Sequence, residues 1–242
     1  MNLRLAVWSG PRNISTAMMR AWENRADCEV LDEPFYAYYL KQTGLDHPGR
    51  DEVIASQSTD WRDVTALCQG LAPNHAPIFY QKQMSFHVLA EVDRGWMSNL
   101  THCFLIRDPE SVVASYAQVR ETPTLQDIGF AQQAELYQYV CQYLDPSPVV
   151  IDSAEFLAKP EAMLRAWCLA LGLDFTDQML SWPAGPRDTD GVWAPHWYAS
   201  VWASTGFAKP RGVRPTLTQE LLSLADQARP YYQDLYERRL RV

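Results

Sequence analysis

Residues 3–16 read Leu-Arg-Leu-Ala-Val-Trp-Ser-Gly-Pro-Arg-Asn-Ile-Ser-Thr, an alternating apolar strand that breaks at Gly10-Pro11 and runs into a helix beginning near Ser15. A turn between a strand and a helix leaves backbone N–H groups unpaired, and the helix macrodipole favours an anion beside them. The side chains of Arg12, Ser15 and Thr16 add donors for phosphate oxygens. The segment therefore predicts a loop that binds phosphate-like anions.

This loop lacks the Gly-Lys-Ser/Thr triplet of the common ATP- and GTP-binding loop. In that loop the lysine reaches the terminal phosphates and the hydroxyl binds magnesium. A phosphate loop without either group favours sulfuryl transfer over ordinary phosphoryl transfer. The simpler alternative is an ordinary turn at Gly10-Pro11 with Arg12 as a solvated surface charge.

The composition predicts one folded domain and argues against two classes of partner. The chain has 242 residues, of which 47% are hydrophobic, and this is enough for one large core. Its net charge of −8 argues against nucleic acid and anionic membrane surfaces, because both attract a positive field. We therefore expect a small-molecule partner, with any anion bound locally.

The cysteines predict a reducing compartment. They are odd in number and scattered, without the short paired spacing of zinc sites or disulfide scaffolds: Cys28, Cys68, Cys103, Cys141 and Cys168. The first apolar run is too short for a signal peptide, and no segment approaches the length of a membrane span. A cytoplasmic location is the resulting expectation.

Short apolar runs alternate with helical patterns along the chain. Besides the first strand, four runs predict buried strands: Cys28–Leu31, Ile78–Gln81, Thr101–Ile106 and Val149–Ile151. This alternation predicts an α/β fold, a three-layer sandwich with a mostly parallel central sheet of the P-loop nucleotide-binding type. We expect a single domain over residues 1–242, in which residues 182–215 form a lid or a closing loop.

Capping and turn residues predict where helices begin and where the chain leaves them. Asp108-Pro109 is typical of an N-cap and a first helical position, and predicts a helix over Glu110–Arg120. Thr216 is predicted to cap a last helix that Pro230 kinks. The polar stretch Thr43–Gln57 contains glycine and proline and is predicted to be a surface excursion.

A second segment, Cys103-Phe-Leu-Ile-Arg-Asp-Pro-Glu-Ser-Val-Val-Ala-Ser115, predicts a strand that ends in Arg107 and passes directly into a capped helix. Arg107 then lies at the carboxyl edge of the sheet, and Ser111 and Ser115 share one helical face. A guanidinium beside hydroxyl donors suits a second phosphate, although Arg107 as a strand end and Ser115 as a buried helix hydroxyl is the alternative. Two oxyanion sites at one sheet edge fit a nucleotide phosphorylated at both its 5′ and 3′ positions.

Together, the motif Gly10-Pro11-Arg12-Asn13-Ile14-Ser15-Thr16 and the pair Arg107 and Ser115 resemble the sulfotransferases that use 3′-phosphoadenosine 5′-phosphosulfate (PAPS). The resemblance implies that the first motif binds the 5′-phosphosulfate, with Arg12 on its bridging and terminal oxygens. It also implies that Arg107 and Ser115 bind the 3′-phosphate.

The resemblance extends more weakly to the C-terminal part of the chain. The family closes a basic loop over the nucleotide where this chain has Ser204-Thr-Gly-Phe-Ala-Lys-Pro-Arg-Gly212, which offers Lys209 and Arg211. At the first motif the family's usual loop has Ser-Gly in place of Asn13-Ile14. The resemblance thus implies contacts from both ends of the chain to one nucleotide.

Three residues are candidates for chemistry on the acceptor side. Glu33 follows the second strand and is a candidate base for the acceptor's proton, or else it caps a helix before Pro34. His87 follows the third strand and is the other candidate base, or else a structural histidine. Lys82 would stabilise the departing charge, as a lysine does at the corresponding strand end in the family. Arg12 completes this catalytic set.

The predicted function is sulfuryl transfer from PAPS to a hydroxyl or amine of a small acceptor. Metal is not required, since arginine, lysine, backbone N–H groups and the helix dipole already supply positive charge. Two alternatives stay open: an atypical P-loop kinase that uses ATP and magnesium, and a nucleotide-binding protein without catalysis. Five aromatic residues fit either an acceptor lid or a packed core, which we favour for most of them: Trp182, Trp193, Trp197, Tyr198 and Trp202.

Overall fold

The computed structural model describes residues 2–118, 122–208 and 216–242. Two predicted nucleotide contacts, Lys209 and Arg211, lie outside these residues, as does the predicted helix end at Arg120. In the part of the chain that is described, no helix is both long and apolar enough to span a bilayer.

Five strands form one sheet in the order β2-β3-β1-β4-β5. Their bounds are β1 Leu3–Ser9, β2 Cys28–Asp32, β3 Ile78–Met84, β4 Thr101–Ile106 and β5 Val149–Asp152. The parallel pairing of β2 with β3 sets Asp32 opposite Lys82, and that of β4 with β5 sets Ile106 opposite Asp152. The fold class predicted from the sequence is confirmed: α/β, with a mostly parallel central sheet and helices around it.

Helices fill the segments between the strands and follow the last one. Their bounds are α1 Ser15–Glu23, α2 Tyr36–Thr43, α3 Arg50–Ser56, α4 Trp61–Gln69, α5 Pro109–Tyr116, α6 Leu125–Ile128, α7 Phe130–Tyr143, α8 Ser153–Ala158, α9 Pro160–Ala170, α10 Ala194–Trp197, α11 Ala199–Trp202 and α12 Gln219–Glu237. Short 3-10 turns cover Pro73–His75, Ser85–His87, Gly95–Asn99 and Asp177–Leu180.

The described chain divides into two compact units. The first unit comprises residues 2–7, 15–101 and 176–207, and the second comprises the described parts of 8–14, 102–175 and 208–242. In the first unit an aromatic core joins α2 to the segment around Trp193 and Tyr198. In the second unit α12 packs on α5 through Leu224 and Val113. Each unit thus has an apolar core of its own.

Local capping chemistry explains several helix starts. The Asp108 carboxylate accepts a hydrogen bond from the Ser111 N–H at 3.0 Å, with Pro109 at the first helical position, as the sequence predicts. The predicted cap at Thr216 is wrong. The Thr218 side chain accepts from the N–H of Leu221 instead, because α12 begins at residue 219.

The predicted surface excursion over Thr43–Gln57 is also wrong in part. Residues Arg50–Ser56 form α3, and Val53 is fully buried against α2. The polar residues of this stretch line the outer face of a short amphipathic helix, so their polarity does not indicate irregular structure.

Candidate functional site

The loop between β1 and α1 is tied to the end of β4. The Asn13 side chain donates from Nδ2 to the Leu105 carbonyl at 3.0 Å, and its Oδ1 accepts from the Ile14 N–H at 2.8 Å. Gln133, on α7, donates to the carbonyls of Trp8 and Leu105 at 3.1 and 3.0 Å. One buried amide and one loop amide therefore fix the loop backbone relative to the strand end.

Gly10 stands where this loop passes close to another backbone segment. A Cβ atom at this position would lie 3.2 Å from the Ile128 carbonyl oxygen. The hydroxyl of Ser9 donates to the Gly10 carbonyl at 2.8 Å. The residues Gly10 and Pro11 therefore act as parts of a tight turn, and the polar groups offered to a ligand come from the residues after them.

Arg12, Arg107 and Ser115 meet in the second unit, and we refer to them as the arginine cluster. The Arg12 Nε donates to the Ser115 Oγ at 3.0 Å, and the Arg107 guanidinium donates from Nη1 to the Arg12 carbonyl oxygen. The sequence places Arg12 and Arg107 at two separate anion positions, whereas the fold brings them together through the Arg12 backbone and side chain.

The electrostatics of the arginine cluster favour an anion. Burial lowers the pKa of Arg12, while the nearby Tyr116 opposes this effect. Burial also lowers the pKa of Arg107, and the positive charge of Arg12 lowers it further, while the charges of Asp108 and Asp152 oppose the shift without reversing it. Among the residues that the structure describes, neither guanidinium forms an ion pair with a carboxylate. Two partly buried like charges without a paired carboxylate are stabilised by a bound anion.

A second cluster lies in the first unit and consists of Asp32, Glu33, Lys82 and Tyr198; we refer to it as the lysine–carboxylate cluster. The Lys82 Nζ donates to the Asp32 Oδ1 at 2.9 Å, to the Glu33 Oε1 at 2.5 Å and to the Tyr198 Oη at 2.5 Å. An ammonium group has three protons, so these bonds use all of them. The parallel register explains the first contact, because Asp32 and Lys82 are paired residues on adjacent strands.

The two carboxylates of this cluster differ in their remaining capacity to accept hydrogen bonds. The Asp32 Oδ2 accepts from the Tyr198 hydroxyl at 2.7 Å and from the Gly191 N–H at 3.2 Å, and the Asp32 side chain is 2% exposed. The Glu33 side chain is 11% exposed, and its Oε2 lies 4.0 Å from the His87 Nδ1, beyond hydrogen-bond distance. Glu33 therefore retains an oxygen that can accept a proton.

The environment of Glu33 favours its protonated form more than water does. Burial raises the pKa of Glu33, and although the Lys82 ammonium opposes this shift, the Asp32 charge adds to it. For Lys82, burial alone would lower the pKa, but the carboxylates of Asp32 and Glu33 raise it overall. Lys82 thus stays an ammonium beside a carboxylate that is more basic than usual.

Glu33 also adopts an uncommon backbone conformation. Its φ is 40°, in the left-handed region that a long side chain rarely occupies. Its N–H donates to the Lys82 carbonyl at 3.0 Å, and its own carbonyl accepts from the Gln57 Nε2 at 3.2 Å. These two bonds hold the backbone in this conformation and direct the Glu33 side chain onto Lys82.

His87 is buried between two tyrosine rings. Its ring lies 4.6 Å from that of Tyr36 and 4.7 Å from that of Tyr39, centroid to centroid. Burial lowers the pKa of His87 well below its ordinary value, and the neighbouring charges of His47 and Lys82 act in the same direction. In the described structure its Nδ1 has no hydrogen-bond partner. His87 is therefore a neutral imidazole with an unused ring nitrogen.

The other predicted site residues have the following places. Ser15 and Thr16 follow the loop in the chain and are the first two residues of α1, where both are buried. Trp182, Trp193 and Tyr198 are buried, while Trp197 and Trp202 are partly buried against the aromatic core of the first unit. Most of these aromatic residues are therefore packed, as the sequence interpretation favoured.

Sequence reasoning missed the roles of Asp32, Gln133 and Tyr198. A signal existed for Asp32, because it is a polar residue at the end of a buried strand beside a candidate base. Gln133 bonds to Trp8 and Tyr198 bonds to Asp32, and in both pairs the partners are more than a hundred positions apart in the sequence. No local sequence pattern indicates such contacts.

Comparisons with known proteins identify the family. The sequence profile described as "Sulfotransferase domain" matches residues 3–239. The chain belongs to the sulfotransferase family. Membership in this sulfotransferase family indicates a transferase that acts in sulfuryl transfer.

Solved sulfotransferase structures have the same fold. They are the sulfotransferase domain from the curacin biosynthetic pathway (15% identity, 94% of this chain and 97% of that chain), the sulfotransferase domain of the Synechococcus PCC 7002 olefin synthase (12%, 92% and 93%) and a sulfotransferase from Alicyclobacillus acidocaldarius (13%, 99% and 98%). The TM-score is 0.57 for each of them. At these identities the likeness shows the fold that this sulfotransferase-family chain shares with them.

Curated relatives are more similar in sequence. Two proteins of Arabidopsis thaliana, named branched-chain-amino-acid aminotransferase-like proteins 1 and 2, are 37% and 35% identical to this chain. Each match covers 93% of this sulfotransferase-family chain and 40% of the relative, so the chain spans about two fifths of the relatives' length. Their names describe whole proteins of which this chain matches the smaller part.

Proposed function

We propose that this sulfotransferase-family chain transfers a sulfuryl group from PAPS to a hydroxyl or amine of a small acceptor. The observation that carries the proposal is the arginine cluster, in which the Arg107 guanidinium binds the Arg12 backbone carbonyl, the Arg12 side chain binds Ser115, and neither arginine has a paired carboxylate among the described residues. Such an arrangement suits a ligand with two anionic groups, one of them a phosphate monoester. PAPS has one at its 3′ position, and ATP has none there.

The chain offers donors for both charged ends of the nucleotide. In this proposal Arg107 and Ser115 bind the 3′-phosphate, and the loop with Arg12 and the hydroxyls of Ser15 and Thr16 binds the 5′-phosphosulfate. Supporting this, Asn13 and Gln133 hold the loop rigidly, so its N–H groups keep one orientation.

In the proposed reaction, an acceptor oxygen or nitrogen forms a bond to sulfur while the bond between sulfur and the phosphate oxygen breaks. The acceptor's proton passes to a base, and Glu33 suits this role because its Oε2 lies outside the bonds to Lys82. His87 is the second candidate base, since it is neutral and has an unused ring nitrogen. Lys82 acts here through Glu33, because all its protons are already donated.

Ligand binding tests the proposal. The affinities of 3′,5′-adenosine bisphosphate (PAP) and of ATP are measured by calorimetry, each with and without magnesium. We expect PAP to bind without magnesium and more tightly than ATP. Arg107→Ala should weaken PAP by roughly 1.5 to 3 kcal/mol, the range for a hydrogen bond to a charged group, and adenosine 5′-phosphate by little.

Arg165→Ala is the matched control for this substitution. Arg165 is 54% exposed, belongs to the same unit and pairs with Glu161, so both affinities should stay unchanged. Tighter binding of magnesium ATP than of PAP would instead favour a kinase. Equal losses for PAP and adenosine 5′-phosphate in Arg107→Ala would contradict the 3′-phosphate assignment.

A further inference from the structure

The Tyr198 hydroxyl lies at the centre of the lysine–carboxylate cluster, and the reaction proposed above gives it no role. It accepts from the Lys82 Nζ at 2.5 Å and from the Trp193 Nε1 at 3.0 Å. It donates to the Asp32 Oδ2 at 2.7 Å. Tyr198 is separated from both Lys82 and Asp32 by more than a hundred residues, so the folded chain alone makes this arrangement.

Counting protons fixes the direction of each of these bonds. A phenol hydroxyl has one proton and two lone pairs. Lys82 and Trp193 can only donate, so they occupy the two lone pairs, and the phenol proton goes to Asp32. Burial and the negative charges of Asp32 and Glu33 raise the pKa of Tyr198 well above its ordinary value. The hydroxyl is therefore a fixed, permanently protonated link.

This link determines which carboxylate oxygen is left for chemistry. Both oxygens of Asp32 already accept hydrogen bonds, from Tyr198, Lys82 and the Gly191 N–H. Lys82 donates its third proton to the Tyr198 hydroxyl. This bond holds the ammonium on one side of the Glu33 carboxylate, at Oε1. The Glu33 Oε2 then lies on the side of His87, at 4.0 Å from its Nδ1.

The segment that carries Tyr198 is built for close packing at this point. Trp193 is 1% exposed and Tyr198 is 4% exposed. A Cβ on Gly191 would lie 2.2 Å from ring atoms of Trp193, so the ring packs directly on the glycine backbone. The Gly191 N–H and the Trp193 indole N–H thus reach Asp32 and Tyr198 from one short turn.

We propose that Tyr198 is a positioning residue for the acceptor-side base: its hydroxyl holds Lys82 and Asp32 so that Glu33 offers Oε2 to the acceptor's proton. This inference rests on the proposed function, because it takes Glu33 as the base that accepts the acceptor's proton. The titratable groups that face Glu33 are Asp32, Lys82, His87 and Tyr198, and only Tyr198 changes in the test.

Tyr198→Phe removes the hydroxyl and keeps the ring. We expect the KM for PAPS to stay unchanged and the kcat for PAP release from PAPS, with a panel of simple alcohols and phenols as acceptors, to fall about tenfold. Without the hydroxyl, Lys82 is no longer held at the Glu33 Oε1, and because the Lys82 charge lowers the pKa of Glu33, that pKa should rise and the acid limb of the kcat profile should move to higher pH.

A readout independent of turnover accompanies the kinetics. The infrared signal of the protonated Glu33 carboxyl, assigned by its absence in Glu33→Gln, is titrated in the wild type and in Tyr198→Phe. The matched control is Tyr38→Phe, because Tyr38 also has a buried ring and donates to the Glu91 carboxylate at 2.9 Å outside the cluster. Thermal denaturation of each variant measures its folded fraction.

The outcomes separate positioning from simple structural support. An upward shift of the Glu33 titration in Tyr198→Phe and none in Tyr38→Phe supports the proposal. An unmoved Glu33 titration in Tyr198→Phe, or equal shifts in both variants, overturns it. If the wild type releases no PAP from PAPS, the proposed function fails, while the infrared titration still decides whether Tyr198 positions Glu33.

Discussion

Arg12 and Glu33 are two candidate site residues with a backbone that their side chains disfavour. Their φ angles are 56° and 40°, a conformation that costs a residue with a Cβ on the order of 1 kcal/mol or more. Such strain persists where surrounding bonds hold it. Arg107 holds the Arg12 carbonyl and Gln57 holds that of Glu33. At both positions the fold gives up a little stability to orient a charged side chain.

Asn13 provides a residue-scale test of the loop. Asn13→Ala removes the bonds to the Leu105 carbonyl and the Ile14 N–H, while Gln133 still satisfies Leu105. Only the bond to the Ile14 N–H has no replacement, and with about 1 to 1.4 kcal/mol for this bond we expect PAP to bind roughly five- to tenfold more weakly, as measured by calorimetry.

The control for that substitution is Asn99→Ala. Asn99 is exposed and donates to Gln69, far from the loop in the sequence, so its loss should leave PAP affinity unchanged. Unchanged affinity in Asn13→Ala as well would mean that the loop keeps its geometry without this amide.

Single residues also show which parts of the candidate site the sequence can predict. The chemical types at Arg12, Glu33 and Lys82 follow from their places after strands, and the sequence is enough to single them out. The pairing of Arg12 with Ser115, or of Tyr198 with Asp32, depends on how distant segments pack, which local patterns do not encode.

At the scale of elements, the predictable features are those with local causes. The four strands predicted after β1 all begin at the observed residues, since buried apolar runs define a strand start, and β2, β3 and β5 extend beyond the predicted ends. The extensions include Asp32 and Lys82, which are polar and buried. A strand that continues through polar residues is hard to predict, because its partners are tertiary.

The turn before α10 is an element whose shape rests on one glycine. In Gly191→Ala the new methyl group would clash with the Trp193 ring, which must then shift and disturb its bond to Tyr198. We expect a loss of roughly 1 to 3 kcal/mol in the free energy of unfolding, the usual cost of overpacking, as measured by urea denaturation.

Gly95→Ala serves as the comparison for this element. Its methyl group meets only the Asp93 carboxylate, a flexible side chain on the exposed surface, so it should cost less. Equal stability losses for the two alanine variants would show that the 191–193 turn is not tightly packed.

At the scale of the whole molecule, the net charge of the chain has the same sign as the ligand of the proposed function. The chain has a net charge of −8, yet its candidate anion site contains two arginines. The overall field therefore does not attract an anionic nucleotide, and under the proposed function its recognition would depend on local, partly buried cations, where screening by salt is weak. The composition predicted this local mode of binding, but the number of cations that meet in one place came only from the fold.

The pH dependence of global stability depends on a histidine that the fold keeps neutral. His87 has a pKa well below 6.5 in the folded chain, because it is buried and faces the charges of His47 and Lys82. Below pH 6.5 the unfolded chain binds a proton at this residue while the folded chain does not. The contribution of His87 to the free energy of unfolding is therefore complete above pH 6.5 and falls as the pH drops from 6.5 toward the pKa of the folded chain.

His87→Gln should therefore flatten the acid side of the stability curve. Glutamine does not titrate, and the difference in slope between wild type and variant can reach about 1.4 kcal/mol per pH unit, the limit for one proton. Glu33 acts with the opposite sign, since its raised pKa adds stability on acidification, and comparing slopes within one pair of proteins cancels this contribution to first order. Urea denaturation at several pH values from about 5 to 8 measures the slopes.

His196→Gln, at an exposed position, controls for the substitution itself. Parallel curves for the wild type and His87→Gln would mean that the folded chain admits a proton at His87 as readily as the unfolded chain does, and His87 would then no longer qualify as the second, neutral candidate base.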